Sequence, residues 1–419
     1  MNNSNQTVPE KEVLSVLSGE SGENPFPLFA KIRAMGAVVP IPFPIGGTDR
    51  QTWMVTRMEE AMQVLKDHTR FTADRRSIND NSDIEQTLTD NTAPSATPDF
   101  LTESINSVDE PDHRRLRTLV SKAFTPRYME SLRPRVQEIA DELLDQVQKK
   151  GEMDLVKDYA YPLPINVICN MIGVPRADRA QIHDWSSAIA HGLGLGRQKP
   201  EVAEHLRAFG EYIAQLVDNK RQHPADDLIS QLIAIEEEGD RLIEAELLSM
   251  IKLLIFAGHE TTSNLISTGT LMLLDHPDQL EKLKFDLSLV PSAVEELLRF
   301  NGPSTIAGPR FATEDIELAG QQIKKGDVVI PVLKSANRDE RQFTESEELD
   351  ITRKINRHLA FGHGIHMCLG APLARVEGDI AFTTLLRRMP NLRLSVPREN
   401  VTWNFMLSSQ GLTSLPVAF

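Results

Sequence analysis

The apolar and polar positions of this chain fall into long helical rhythms broken by a few extended runs. An amphipathic stretch at 28–35 predicts a helix, the runs 38–41 and 52–56 predict short strands, and 59–66 predicts a second helix. Residues 72–105 are polar and rich in Asn, Asp, Ser, Thr and Pro. A connection of that length inside a packed chain is expected to be a lid or binding loop, or else disordered. From 113 to 277 apolar residues recur at helical spacing, with interruptions at 161–164, 175 and 223–224, each containing proline. Extended segments return at 316–318, 328–333 and 392–396. The pattern predicts a mainly α fold with small β-sheets. With no repeat, linker or sharp change of composition, it predicts one large domain over 21–419 behind a loosely ordered segment 1–20.

Composition narrows the function classes. The net charge of −15, without any long Lys/Arg block, argues against nucleic acid or an anionic membrane surface as the main partner. The apolar run 247–274 carries Lys252, His259 and Glu260, with Asp275 beside it, so it predicts a long buried helix rather than a bilayer span. Residues 1–10 are polar and lack the basic start and apolar run of a signal peptide, which predicts a cytoplasmic protein. Only Cys169 and Cys368 are present. A disulfide framework is excluded, though one bridge is formally open, and two thiols cannot hold an iron–sulfur cluster.

The densest chemical signal is Phe361-Gly362-His363-Gly364-Ile365-His366-Met367-Cys368-Leu369-Gly370. Two glycines before the cysteine permit left-handed or closely approaching backbone. The residues 371–375 and 377–386 read as helix, placing Cys368 just before or at an N-terminus, where exposed N–H groups stabilise a thiolate. A thiolate on haem iron donates electron density that favours O–O cleavage. An isolated cysteine in such a turn is more often an inert buried thiol, and a zinc site wants several Cys/His ligands close together.

Three further constellations lie upstream. Ala257-Gly258-His259-Glu260-Thr261-Thr262 puts an acid–alcohol pair inside the long apolar helix, where polar groups cost free energy unless satisfied or used. Gly258 weakens the helix and predicts a local opening there. Glu260 and Thr261 could relay protons, or the threonine could simply bond back to a carbonyl while the glutamate reaches solvent. Glu296-Leu297-Leu298-Arg299 places an acid and a base three apart on one helical face, ordinarily a surface ion pair. In the segment 109–117, His113 and Arg117 are four apart and share a face, two cationic donors suited to carboxylates.

Taken together, these residues resemble the cytochrome P-450 superfamily, in particular its soluble bacterial members of the macrolide-hydroxylase type. The haem-loop pattern F-G-x-G-x-H-x-C-x-G is matched at every fixed position, and four motifs occur in the family's order from about Pro25 onward. Ala123-Phe124-Thr125-Pro126-Arg127 and Tyr161-Pro162-Leu163-Pro164 share that flavour.

The resemblance implies a triangular prism of helices and a haem b (iron protoporphyrin IX) cofactor. It makes Cys368 the axial iron ligand and places Ala257, Phe361 and Gly370 beside the haem. His113, Arg117, Arg310 and His366 would hold its propionates, and Glu260 and Thr261 would form the proton relay. Glu296 and Arg299, with Arg353 as the candidate third member, would form a buried structural group. Leu193, Leu195, Ile255, Thr305, Ile306 and Met406 would line an apolar pocket. The implied activity is monooxygenation of a hydrophobic molecule such as a polyketide, steroid, terpenoid or fatty acid, using dioxygen. Electrons would come from a separate ferredoxin or flavodoxin with its NAD(P)H-dependent reductase, and Arg114 and Arg115 are expected to face outward to dock that carrier. The competing readings are a peroxide-using peroxygenase, which typically replaces the acid–alcohol pair, a haem-binding sensor, and a redox-active thiol protein without haem.

Overall fold

A computed structural model describes residues 24–41, 50–78, 104–193, 200–235, 240–354, 357–405 and 408–419. Segment 1–20 and most of the 72–105 connection fall outside them. The described chain is mostly helical with small sheets, as the sequence pattern predicts. It forms two compact units.

The first unit gathers Met1–Thr89, Asp275–Cys368 and Thr402–Thr413. Its centre is a five-stranded sheet of β1 (Val38–Ile41), β2 (Thr52–Val55), β3 (Phe71–Thr72), β4 (Arg310–Ala312) and β5 (Val328–Pro331), in the order β1-β2-β5-β4-β3. Only the β2–β5 pairing is parallel. Side chains alternate between faces with period two. Val38, Trp53, Val55, Ala312 and Val329 therefore pack with Met58, Ala61, Val64 and Leu65 of the helix Met58–Lys66. Val39, Ile41, Met54, Phe311, Val328 and Ile330 pack instead with Leu28, Phe29 and Ile32 of the helix Phe26–Met35. A helix on each face explains why β2 and β5 are buried at every position.

The second unit gathers Asp90–Leu274, Leu369–Val401 and Ser414–Phe419. The helices that matter most below are α1 (Asp112–Ala123), α2 (Pro162–Ile172), α3 (Arg179–Leu193), α4 (Glu244–Asp275), α5 (Val290–Asn301, in the first unit) and α6 (Ala371–Arg388). Pro162, inside an expected interruption, opens α2 at a position where its missing N–H costs nothing. The stretch 371–386, expected to be helical, lies in one helix that packs on the helices Pro126–Ser131 and Arg133–Val147. A three-stranded sheet of Glu152–Asp154, Pro416–Ala418 and Arg393–Leu394 completes this unit.

Helix α4 is about 48 Å long at 1.5 Å per residue. It is buried all round from Thr262 to Leu273 despite its many hydroxyls. Several of those hydroxyls bond back within the helix: Ser267 Oγ donates to the Ser263 carbonyl at 2.9 Å and Thr270 Oγ1 to that of Ile266 at 2.7 Å. None of the described helices is long and apolar enough to cross a membrane.

Candidate active site

In the first unit the cysteine loop is shaped by backbone. Gly362 and Gly364 have φ of +69° and +75°, the left-handed region. A Cβ on Gly364 would stand 2.2 Å from the Leu65 carbonyl oxygen, so the loop lies against the helix Met58–Lys66 only because this residue is glycine. The Cys368 N–H donates to the Phe361 carbonyl at 2.9 Å and the Met367 N–H to that of Gly364 at 3.1 Å. The loop closes on itself and presents Cys368 exposed, with Phe361, His366 and Gly370 half-buried. Three residues on, Ala371 begins α6. Arg310 is buried on β4, its Nη1 donating to the Gly308 carbonyl at 3.1 Å.

Beneath this, Glu296 and Arg299 on α5 are fully buried rather than on the surface. Arg299 donates twice to the Glu296 carboxylate, each at 2.8 Å, and Arg353 Nε reaches the same carboxylate at 3.1 Å. The three residues expected to act together are therefore in contact. Ile306 packs into the core with Phe29 and Phe311, and the Thr305 N–H donates to the Ser408 carbonyl at 2.9 Å.

In the second unit α1 carries buried His113 and half-buried Arg117 one turn apart. Arg115 differs from expectation. Its guanidinium pairs with Glu246 and with Asp240 at 3.4 Å, which ties α1 to the start of α4 instead of facing outward. Arg114 is exposed and pairs with Glu110 at 2.7 Å. The sequence hides this difference because the acids lie more than a hundred residues downstream.

On α4, Ala257 is exposed just before the fully buried stretch 262–273, and Thr261, one turn on, is half-buried. Thr261 Oγ1 donates to the Ala257 carbonyl at 3.2 Å. The helix runs unbroken through Gly258, so the opening expected there is absent from this conformation. Gly258 instead allows close approach of α2, with Ile168 3.4 Å from where a Cβ would stand. Ile255 is completely buried. Leu195 and Met406 lie outside the described residues, as does the side chain of Leu193.

Two buried titratable groups of this unit escaped sequence reading. His259 is fully enclosed, and burial pushes its pKa down to about 4 despite a bond to the Ile255 carbonyl. Glu377 on α6 is fully buried and burial raises it to about 8, against the lowering effect of a hydrogen bond with Thr262 of α4. Its second oxygen meets no donor among the described residues. Both stand in phase with apolar neighbours, Glu377 with Leu373, Ile380 and Ala381, and His259 with Ile255 and Ile266. That phase was the available signal.

The folded pKa of Glu377 lies above its unfolded value of 4.5. Its contribution to stability is thus fully present below pH 4.5 and lost as pH rises through 8, a loss of a few kcal/mol. Glu377→Gln should remove that fall. Urea unfolding of both proteins at pH 5 and pH 8.5 checks it, and equal pH slopes would refute it.

Comparison with known proteins identifies this arrangement. The cytochrome P-450 family model matches residues 194–416. The chain is 48% identical over 369 residues to cytochrome P-450 CYP107DY1 of Priestia megaterium, covering 88% of this chain and 89% of that one. It is 40% identical over 408 residues to the cytochrome P-450 monooxygenase PikC of Streptomyces venezuelae, covering 96% and 93%. The solved structure of the bacillaene polyketide synthase cytochrome P-450 PksS of Bacillus subtilis superposes with a TM-score of 0.84 at 40% identity, covering 95% and 98%. The chain belongs to the cytochrome P-450 family. It is a haem-thiolate monooxygenase of the bacterial, macrolide-hydroxylase-like kind.

Family members bind haem, and the residues present fit it. An accessible thiol sits on a loop closed by its own backbone bonds, an alanine is exposed on α4, and Arg310 and His113 offer nitrogen donors in buried positions where carboxylates are good partners.

Proposed function

We propose that Cys368 supplies the thiolate ligand to haem iron, and that His113, Arg117, Arg310 and His366 bind the propionates. Phe361, Ala257 and Gly370 pack beside the macrocycle. The observation that carries this reading is the exposed Cys368 thiol on a loop closed by the Phe361 carbonyl and fixed in place by Gly364. When bound, the thiolate-ligated haem supplies dioxygen activation. The chain's own work is to orient and to move protons. Thr261 holds its hydroxyl at the exposed Ala257 turn, and Glu260 next to it passes protons to that hydroxyl.

Residues 21–419 act as one monooxygenase domain in the cytoplasm. Electrons come from a ferredoxin or flavodoxin with an NAD(P)H-dependent reductase, as the family resemblance implies. The substrate is a polyketide, steroid, terpenoid or fatty-acid-like molecule, met by the segments that contain Leu193, Leu195, Ile255, Thr305, Ile306 and Met406.

The test is turnover of a lipophilic panel under labelled dioxygen with a surrogate ferredoxin system. One labelled oxygen in the product is expected, and NADH oxidation with no labelled product from any tight binder would overturn the reading. Thr261→Ala should lower product per NADH by about tenfold and raise peroxide correspondingly. Tight coupling in that variant would remove Thr261 from the relay.

A further inference from the structure

The residue inside the acid–alcohol motif that this mechanism leaves unused is His259. Its Nδ1 lies 2.7 Å from the Ile255 carbonyl, which can only accept, so Nδ1 carries the proton and Nε2 is an acceptor. Two hydroxyls from other elements reach that single lone pair. Tyr161 Oη, at the start of α2, lies 3.1 Å away, and Ser186 Oγ, on α3, lies 3.3 Å away. Tyr161 also packs edge-on against His259 with centroids 5.2 Å apart, and against His183 of α3 at 4.4 Å.

The site is dry. Ser186 and His259 are both buried, and a neutral imidazole is the state that can accept from both hydroxyls. Burial first, and then the negative charge of Glu260, raise the Tyr161 phenol above its usual range, so the phenol senses the relay acid directly. One imidazole therefore touches α2 and α3 while belonging to the turn of α4 that bears Glu260 and Thr261.

We propose that His259 is a positioning residue that couples the placement of α3 to the acid–alcohol pair, through one ring nitrogen shared between Tyr161 and Ser186. When α3 shifts, Ser186 withdraws, the Tyr161 hydroxyl takes the lone pair alone, and the 257–261 turn loses one of its two lateral restraints. The end of α3 leads into the segment that the proposed function gives to substrate contact. Pocket occupancy would thereby set the stiffness of the proton-delivering turn. The inference rests on the monooxygenase reading for its purpose, but not for its physical content.

The experiment is amide hydrogen exchange on the haem-loaded protein. Ser186→Ala and Tyr161→Phe each delete one hydroxyl without changing fold-determining volume. Losing one buried hydrogen bond should speed exchange at 257–261 about fivefold in each variant, with the helix Arg133–Val147 and α6 unchanged. A purely local role for Ser186 would loosen α3 alone, and unchanged exchange at 257–261 in both variants would overturn the coupling. His259→Gln, which keeps one acceptor, should restore part of the protection that His259→Leu loses; equal exchange in the two would also count against it.

A functional arm separates the two levels. With Thr261→Ala as the benchmark, Tyr161→Phe should lower labelled product per NADH about fivefold. If Thr261→Ala uncouples and Tyr161→Phe does not, the coupling fails and the monooxygenase reading stands. If the parent yields no labelled product, that reading fails and exchange alone decides the coupling.

Discussion

A Cys368→Ser variant should fold normally and lose monooxygenase turnover by at least about a thousandfold, on the order of 4 kcal/mol of barrier. The first half follows from the loop's construction. The contacts that shape it are the Cys368 N–H to the Phe361 carbonyl and the seat of Gly364 against Leu65, and neither involves sulfur. Exchanging an exposed Sγ for Oγ should therefore change stability by no more than about 0.5 kcal/mol. The second half follows from acidity. A thiol becomes an anionic ligand near neutral pH, especially beside cations or a helix N-terminus, whereas an aliphatic hydroxyl does not ionise.

The measurement is the carbon-monoxide difference spectrum of the reduced protein, with turnover of the best binder alongside. The expected result is loss of the thiolate Soret band with haem still able to bind. An unchanged band would mean that another residue ligates iron. Cys169→Ser is the matched control: burial pushes that thiol up to about 12, so it stays protonated and the spectrum should not move.

The exposure of Cys368 and the opposite fate of Cys169 show what was legible in the sequence and what was not. Motif spacing carried the cysteine loop, the acid–alcohol pair and the Glu296–Arg299 pair, because each depends on residues close in sequence. Strands β1 and Ile316–Leu318 were legible from short apolar runs. The strands Arg310–Ala312, Thr402–Phe405 and Gln410–Ser414 were not. All three are short and mixed in polarity; Arg310–Ala312 also takes its partner Phe71–Thr72 from far along the chain, whereas the other two pair with each other.

Arg115 fails for the same reason. A local rule gave it a direction, and acids on a distant segment gave it a partner. His259 and Glu377 failed differently. Their helical phase announced burial, but only the folded neighbours say whether a buried polar group is satisfied, and by what. The two meet different elements around α4: Tyr161 and Ser186 meet His259, while Glu377 meets Thr262. Positions 259 and 262 of α4 are thus held by polar contacts from neighbouring helices, not by the motif residues alone.

Arg299→Ala is expected to leave no stably folded haem protein. The side chain is fully buried and makes five hydrogen bonds. Two go to Glu296, and three go to the carbonyls of Asn337, Ser346 and Glu348 at 3.0, 2.8 and 2.9 Å. Truncation leaves the buried Glu296 carboxylate paired with Arg353 and takes a donor from three carbonyls, of which that of Glu348 keeps Arg353 Nη2 at 3.2 Å. Breaking a buried pair from one side costs about 3–5 kcal/mol, and each orphaned acceptor adds about 1–3 kcal/mol before relaxation. The sum is not additive, yet even its lower end approaches a typical net stability of about 5–15 kcal/mol.

Arg299→Lys should recover only part of the loss, since a single ammonium with three donors cannot span a carboxylate and three carbonyls. Arg353→Ala should cost less than Arg299→Ala, because Arg299 continues to cover Glu296 and the Arg353 side chain is partly exposed. Denaturant unfolding of the three variants, read together with haem content, gives the order. An Arg299→Ala protein as stable as Arg353→Ala would show that the guanidinium is replaceable and that the first unit is held by its sheet and two flanking helices instead.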